Sequence, residues 1–84
     1  MYYLYIIQSQ IKKWKYIGIT NNPKQRVSQH NAGMTRSTKG YRPFTLVYSE
    51  EYKTKTEARK REIYLKKNYK ARESLYNTIH GPIV

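Results

Sequence analysis

The chain has no cysteine and no aspartate, and holds five glutamates, four glycines and three prolines among 84 residues. Without cysteine, neither a disulfide nor a thiolate metal site can staple the fold. A chain this short buries only somewhat more than about 60% of its unfolded surface. Packing must therefore carry the stability, and ten tyrosines, one tryptophan and one phenylalanine supply much of the bulk. There is also no long apolar run. The opening "MYYLYII" is apolar over seven residues, whereas a membrane span needs about 20. It lacks a basic leader and a cleavage signature. It reads as structure, and neither a secretory leader nor a membrane partner is expected. Freedom from cysteine is compatible with the reducing cytoplasm, which is the expected location.

The scarcity of acids leaves a strongly basic chain. Seventeen Lys and Arg face five Glu, a formal charge of +12. Self-repulsion on that scale costs stability and points to a polyanionic partner; a solvated basic surface kept for solubility is the plainer alternative. Membrane-surface binding would want an amphipathic helix with Leu or Trp opposite the lysines, and no segment clearly offers one.

No repeat, linker or low-complexity tract divides residues 1–84, which read as one domain. Residues 2–7 are aromatic and β-branched, and "WKYIGIT" is similar, so the two predict a hairpin joined by "SQIKK". Alternation puts Leu4 and Ile6 on one face with Ile17 and Ile19, and Tyr3, Tyr5, Tyr16 and the bare Gly18 on the other. Asn22 as cap and Pro23 at the first position begin a helix to about Ala32, which Gly33 ends. "GMTRSTKGYRP" reads as a basic loop. "FTLVYSEEY" reads as a third strand, apolar on both faces at its start and so expected in the centre. In "TKTE" Thr54 caps and Glu57 reaches back, starting a long helix to about Asn68; a short helix over 71–77 follows. The expected fold is α/β in the α+β sense: a small three-stranded, mostly antiparallel sheet flanked by helices, in the order ββαβα plus a short C-terminal helix.

Acids are so few that each can be weighed. Glu57 is explained by its cap, Glu50 and Glu51 end a strand where exposure is expected, and Glu73 has no evident partner. Glu62 differs. At 100° per residue it lies about 40° from Ala58, about 60° from Leu65 and about 20° from Tyr69, the expected inward stripe. It either forms an exposed pair with Lys66 at the favourable four-residue spacing, or is buried and needs a metal ion or an arginine beside it. Tyr5 and Tyr16 beside Gly18 are either plain aromatic packing or a phenol pair in a phosphate-binding cleft, since a glycine within a strand marks close approach of something to the backbone. Arg26 and His30 share one face of the first helix; both are exposed there, or Arg26 meets a phosphate and steadies charge developing in phosphoryl transfer.

Together these residues resemble the GIY-YIG nuclease family. "Y-I-G" stands at Tyr16–Ile17–Gly18, and the first motif appears as "Y-L-Y" at residues 3–5, its Tyr5 eleven positions before Tyr16. Arg26, His30, Glu62 and Asn77 follow in order. "STKGYRPF" and "TLVYSEEY" match the pattern of the bacterial stand-alone, single-domain branch. One departure is Tyr3, where the family usually opens its first motif with glycine. The resemblance implies a three-stranded sheet with helices around it, and a metal-dependent endonuclease acting on DNA, with Mg²⁺ or Mn²⁺ held by Glu62. It implies that Tyr16 or Tyr5 activates a water, aided by His30, that Arg26 steadies the pentavalent oxyanion, and that Asn77 positions the backbone or a substrate-side group. Gly18, with Arg36, Lys39 and Arg42 of the basic loop, is expected to meet the DNA. Larger relatives add DNA-reading domains for which 84 residues leave no room. Substrate choice is then expected from the basic loop 33–43, the lysine-rich helix or a partner protein, with a preference for branches, flaps or nicks over sequence, in repair, recombination or defence. A non-catalytic nucleic-acid-binding protein, or a subunit silent without a partner, is the alternative.

Overall fold

The computed structural model describes residues 1–79. A hairpin of β1 (Tyr2–Ser9) and β2 (Lys15–Thr20) leads to α1 (Pro23–Asn31) and then to α2 (Arg36–Lys39), a single turn. After these come β3 (Phe44–Tyr52), α3 (Lys55–Lys67) and α4 (Tyr69–Asn77). The sheet is antiparallel throughout, in the order β2-β1-β3.

That order corrects one expectation: β1 is central and β3 lies at an edge. The cause is legible in burial. Leu4, Tyr5, Ile6 and Ile7 are consecutive and all buried, so β1 has apolar neighbours on both faces. β3 buries Phe44 and Val47 but leaves Ser49 and Glu51 exposed, as suits an edge. The hairpin register sets Leu4 against Ile19, Ile6 against Ile17 and Tyr5 against Gly18, as the alternation predicts.

Two cores lie on the two faces. Leu4, Ile6, Ile17 and Val47 pack with Leu65 of α3, and Leu75 and Tyr76 of α4 lie against them. On the other face Tyr5, Ile7 and Phe44 are joined by Trp14, Tyr16, Val27 and Tyr41. A bulge divides β3 between these faces: Ile6 pairs with Tyr48 and Ile7 with Leu46. Val47 is thus the unpaired residue that a bulge inserts. It packs with Leu4 and Ile6, while Leu46 serves the second core.

Thr54 caps α3 by accepting from the Glu57 N–H at 3.2 Å, and its hydroxyl donates to the Glu57 carboxylate at 3.1 Å. Asn68 ends α3 in an extended conformation and caps α4, its Oδ1 accepting from the Ala71 N–H at 3.0 Å. Tyr69, placed by sequence on the inward stripe of α3, therefore begins a new helix and is 65% exposed. Glu50 also departs from expectation. It accepts from Tyr48 and Tyr52 hydroxyls and from two guanidinium nitrogens of Arg61 at 3.0 and 3.1 Å, fastening α3 to the edge strand. Burial pushes its carboxyl up, but the hydrogen bonds from Arg61, Tyr48 and Tyr52 outweigh that and hold it below its ordinary value.

Candidate active site

The β1–β2 register explains the glycine. The Tyr5 ring lies across Gly18, where an added Cβ would stand 2.7 Å from the Tyr5 hydroxyl and 2.8 Å from two ring carbons. The gap that the sequence left for a ligand is filled by the phenol. Gly18 serves the site by letting Tyr5 lie flat against the edge strand.

α1 brings the next groups. Its start is held by Asn22, whose Oδ1 accepts from the Gln25 N–H at 3.2 Å. Its end is tied to β3 by Asn31, which accepts from the Phe44 N–H at 2.6 Å and donates to the Phe44 carbonyl at 3.1 Å. Between these anchors His30 is fully buried, with Nε2 2.7 Å from the Tyr5 hydroxyl and Nδ1 2.8 Å from Thr38 Oγ1. The Thr38 hydroxyl donates to the Thr35 carbonyl at 3.3 Å. Its single proton thus engaged, it accepts from Nδ1–H, which leaves Nε2 to accept from Tyr5. The array is Tyr5 to His30 to Thr38, with all three side chains buried.

Electrostatics fix the resting state of this array. Burial, reinforced by the charge of Arg26, lowers the His30 pKa to about 4, so the imidazole is neutral. Burial pushes the Tyr5 phenol up to about 12, with Arg26 opposing the shift and Glu62 adding to it. Arg26 stands one helical turn before His30, and its Nη1 donates to Gln29 Oε1 at 2.9 Å. Tyr16 meets the same group edge-on, its ring centroid 5.2 Å from His30 and 6.3 Å from Tyr5.

Glu62 comes from the opposite side of the sheet, on α3, and is 7% exposed. Both sequence readings of it contain part of the answer. Lys66 Nζ pairs with Oε2 at 3.0 Å at the four-residue spacing, and Arg59 Nη1 pairs with Oε1 at 3.1 Å. The carboxylate is nonetheless buried, while its partners are 62% and 48% exposed for Arg59 and Lys66. Lys66 also stands 5.6 Å from the centre of the Tyr16 ring, which links Glu62 to the aromatic side of the site.

The remaining candidates are peripheral. Arg36 and Lys39 are exposed on α2, which occupies part of the stretch expected to be loop. Arg42 is exposed, with its guanidinium against Gly33, whose φ of 78° ends α1. Asn77 is exposed at the end of α4 beside Tyr76. Tyr3 donates to Glu51 at 2.9 Å on the exposed strand edge. Two residues that sequence reading passed over are central: Thr38, which sets the histidine tautomer, and Asn31, which locks α1 to β3. Neither carried a local signal, because their partners lie eight and thirteen residues away.

Comparison with known proteins places the chain in a family. The model of the GIY-YIG catalytic domain matches residues 1–77. The UPF0213 protein YazA of Bacillus subtilis is 36% identical over 89% of this chain and 76% of its own. The UPF0213 protein CPE1444 of Clostridium perfringens is 41% identical over 80% of this chain and 72% of its own. Among solved structures, the solution NMR structure of the UPF0213 protein BH0048 from Bacillus halodurans superposes with a TM-score of 0.58. It is 29% identical, over 98% of this chain and 89% of that one. The family match and the shared three-stranded fold establish that this chain belongs to the GIY-YIG catalytic-domain family, a nuclease-type family whose substrate is nucleic acid.

Proposed function

We propose that the protein is a metal-dependent endonuclease that hydrolyses DNA phosphodiester bonds. The observation that carries this reading is the buried Tyr5–His30–Thr38 array, with Arg26 beside it and Glu62 linked to its aromatic side through Lys66, which lies over Tyr16. A neutral histidine, hydrogen-bonded to a phenol and shielded from water, holds that phenol in one orientation. The Tyr5 proton is held inward by Nε2, which fixes the phenol oxygen in place beside Arg26. Such orientation is worth rate in itself, because it removes reorganisation from the reacting step. Arg26, already directed at this group, supplies fixed positive charge where a pentavalent phosphorane accumulates negative charge.

The donor set fits Mg²⁺ or Mn²⁺. Among the described residues no group of three His, Cys, Asp or Glu forms a protein cage for an ion. A lone carboxylate suits Mg²⁺, which keeps several waters and shares its remaining positions with substrate phosphates. Glu62 is buried and hard, and among the described residues it is held by two exposed cations that can swing away. Once bound there, a divalent cation would neutralise developing charge on the phosphoryl group and its leaving oxygen. The exposed cations Arg36, Lys39 and Arg42 offer charge to the phosphate backbone and favour recognition of DNA shape, such as branches, flaps or nicks, as in repair or recombination. A partner protein that adds specificity is compatible with the same site.

The test is cleavage of plain and branched duplexes with Mg²⁺ or Mn²⁺, by wild type and Glu62→Ala, with DNA binding measured separately in EDTA. The expected result is cleavage by wild type, more on branched DNA, and loss of cleavage with binding retained in Glu62→Ala. Binding without cleavage across metals and substrates would replace this reading with that of a non-catalytic nucleic-acid-binding protein.

A further inference from the structure

Arg59 and Lys66, the two cations on Glu62, belong to different clefts. Lys66 lines a cleft of about 210 Å³ with Lys15, Tyr16, Arg72 and Tyr76. Arg59 lines a second, of about 480 Å³, with Ile19, Lys55, Thr56 and Lys60. Glu62 thus sits between two cationic hollows along one helix. Each holds the volume of several waters, at about 30 Å³ apiece, so each admits a phosphate group.

The charges in these hollows have little else to do. Among the described residues, Lys15, Lys55, Lys60 and Arg72 form no ion pair. Lys15 rests over the Tyr76 ring at 5.0 Å. Arg72 donates to the Leu65 and Lys66 carbonyls at the end of α3, a structural duty that leaves its charge unneutralised. Cations gathered in a concave wall without acids raise the local concentration of polyanions. Seven residues separate Arg59 from Lys66, or about 10 Å of helix, the axial rise of about three nucleotides of one strand. The hollows are too far apart to share a phosphate and are spaced for neighbours of the one at Glu62.

We infer that the strand being cut runs along α3 across Glu62, with flanking phosphates seated in the Lys15–Lys66–Arg72 cleft on one side and the Lys55–Arg59–Lys60 cleft on the other. The inference rests on the endonuclease reading for its central phosphate, but the flanking sites stand on their own geometry. It also assigns a task to β2, whose Lys15 and Ile19 reach one cleft each, so that the edge strand becomes a wall of the track.

Lys15 and Lys55 are the residues to change, since neither touches Glu62 nor holds a helix end. Binding of a labelled duplex in EDTA, between 50 and 200 mM salt by anisotropy, reads the number of phosphates met. Lys15→Gln and Lys55→Gln should each flatten the slope of log K against log salt by about 0.9, and the pair by about 1.8. Lys67→Gln, also on α3 but about 140° round from Glu62, should leave the slope unchanged. Slopes unmoved in Lys15→Gln and Lys55→Gln, or moved equally in Lys67→Gln, overturn the track. In cleavage, Lys15→Gln should raise KM with kcat altered less than about twofold, the mark of lost uniform binding. Changed slopes in a protein that never cleaves would keep the track and sink the endonuclease reading. Cleavage by wild type with unchanged slopes would do the reverse.

Discussion

Titrating the protein from pH 7.5 to pH 5 should weaken the fold through His30. His30 is fully buried, and its pKa falls to about 4 from the ordinary 6.5. Between these values the unfolded chain takes up a proton that the folded chain refuses. The stabilisation is complete above pH 6.5 and is lost as pH falls towards 4. With these values the loss between pH 7.5 and pH 5 is about 2 kcal/mol. A domain of this length holds about 4–13 kcal/mol in all, so the effect is a substantial share. Glu50, held below its ordinary value, contributes stability that is lost only at more acid pH still. Urea unfolding at several pH values measures the slope directly. His30→Gln should begin less stable, having lost the bonds to Tyr5 and Thr38, and then vary little with pH across this window. Imidazole ¹⁵N shifts should report a proton on Nδ1 and none on Nε2 down to pH 5. A wild-type stability that is flat from pH 7.5 to 5, or a His30→Gln variant that keeps the wild-type slope, would refute the buried, neutral histidine on which the site is built.

Gly18→Ala should cost about 1–3 kcal/mol through overpacking, because its methyl meets the Tyr5 ring; in a Tyr5→Leu background, where the ring is gone, urea unfolding should show most of that cost removed. Glu50→Gln leaves Arg61 without its ion pair and two tyrosine hydroxyls with a weaker acceptor. A loss of about 1–3 kcal/mol is expected, read from the urea midpoint at pH 7, and an unchanged midpoint would show that this cluster does not hold α3.

Local signals in the sequence determined a good deal. Alternation in "YYLYII" and "KYIGIT" set the hairpin faces, Asn22–Pro23 and the Thr54–Glu57 pair set two helix starts, and helical spacing offered Glu62 either Lys66 or the inward stripe. These depend on neighbours within about four residues, and sequence order contains them. What joins the site does not. The place of β1 at the centre of the sheet depends on which strand finds burial on both faces, a matter of pairings across the whole chain. The filling of the Gly18 gap by Tyr5 follows from a cross-strand register. The seat of His30 depends on Thr38, delivered by a turn of helix with no amphipathic pattern to announce it. The burial of Glu62 beneath two exposed cations is also tertiary: the four-residue spacing offers Lys66 to Glu62 in any helix, but only packing of α3 against the sheet makes that carboxylate dry and its partners wet. Sequence thus named the chemical groups, and long-range packing decided which of them meet, because a contact between residues far apart in the chain leaves no periodic trace in either segment.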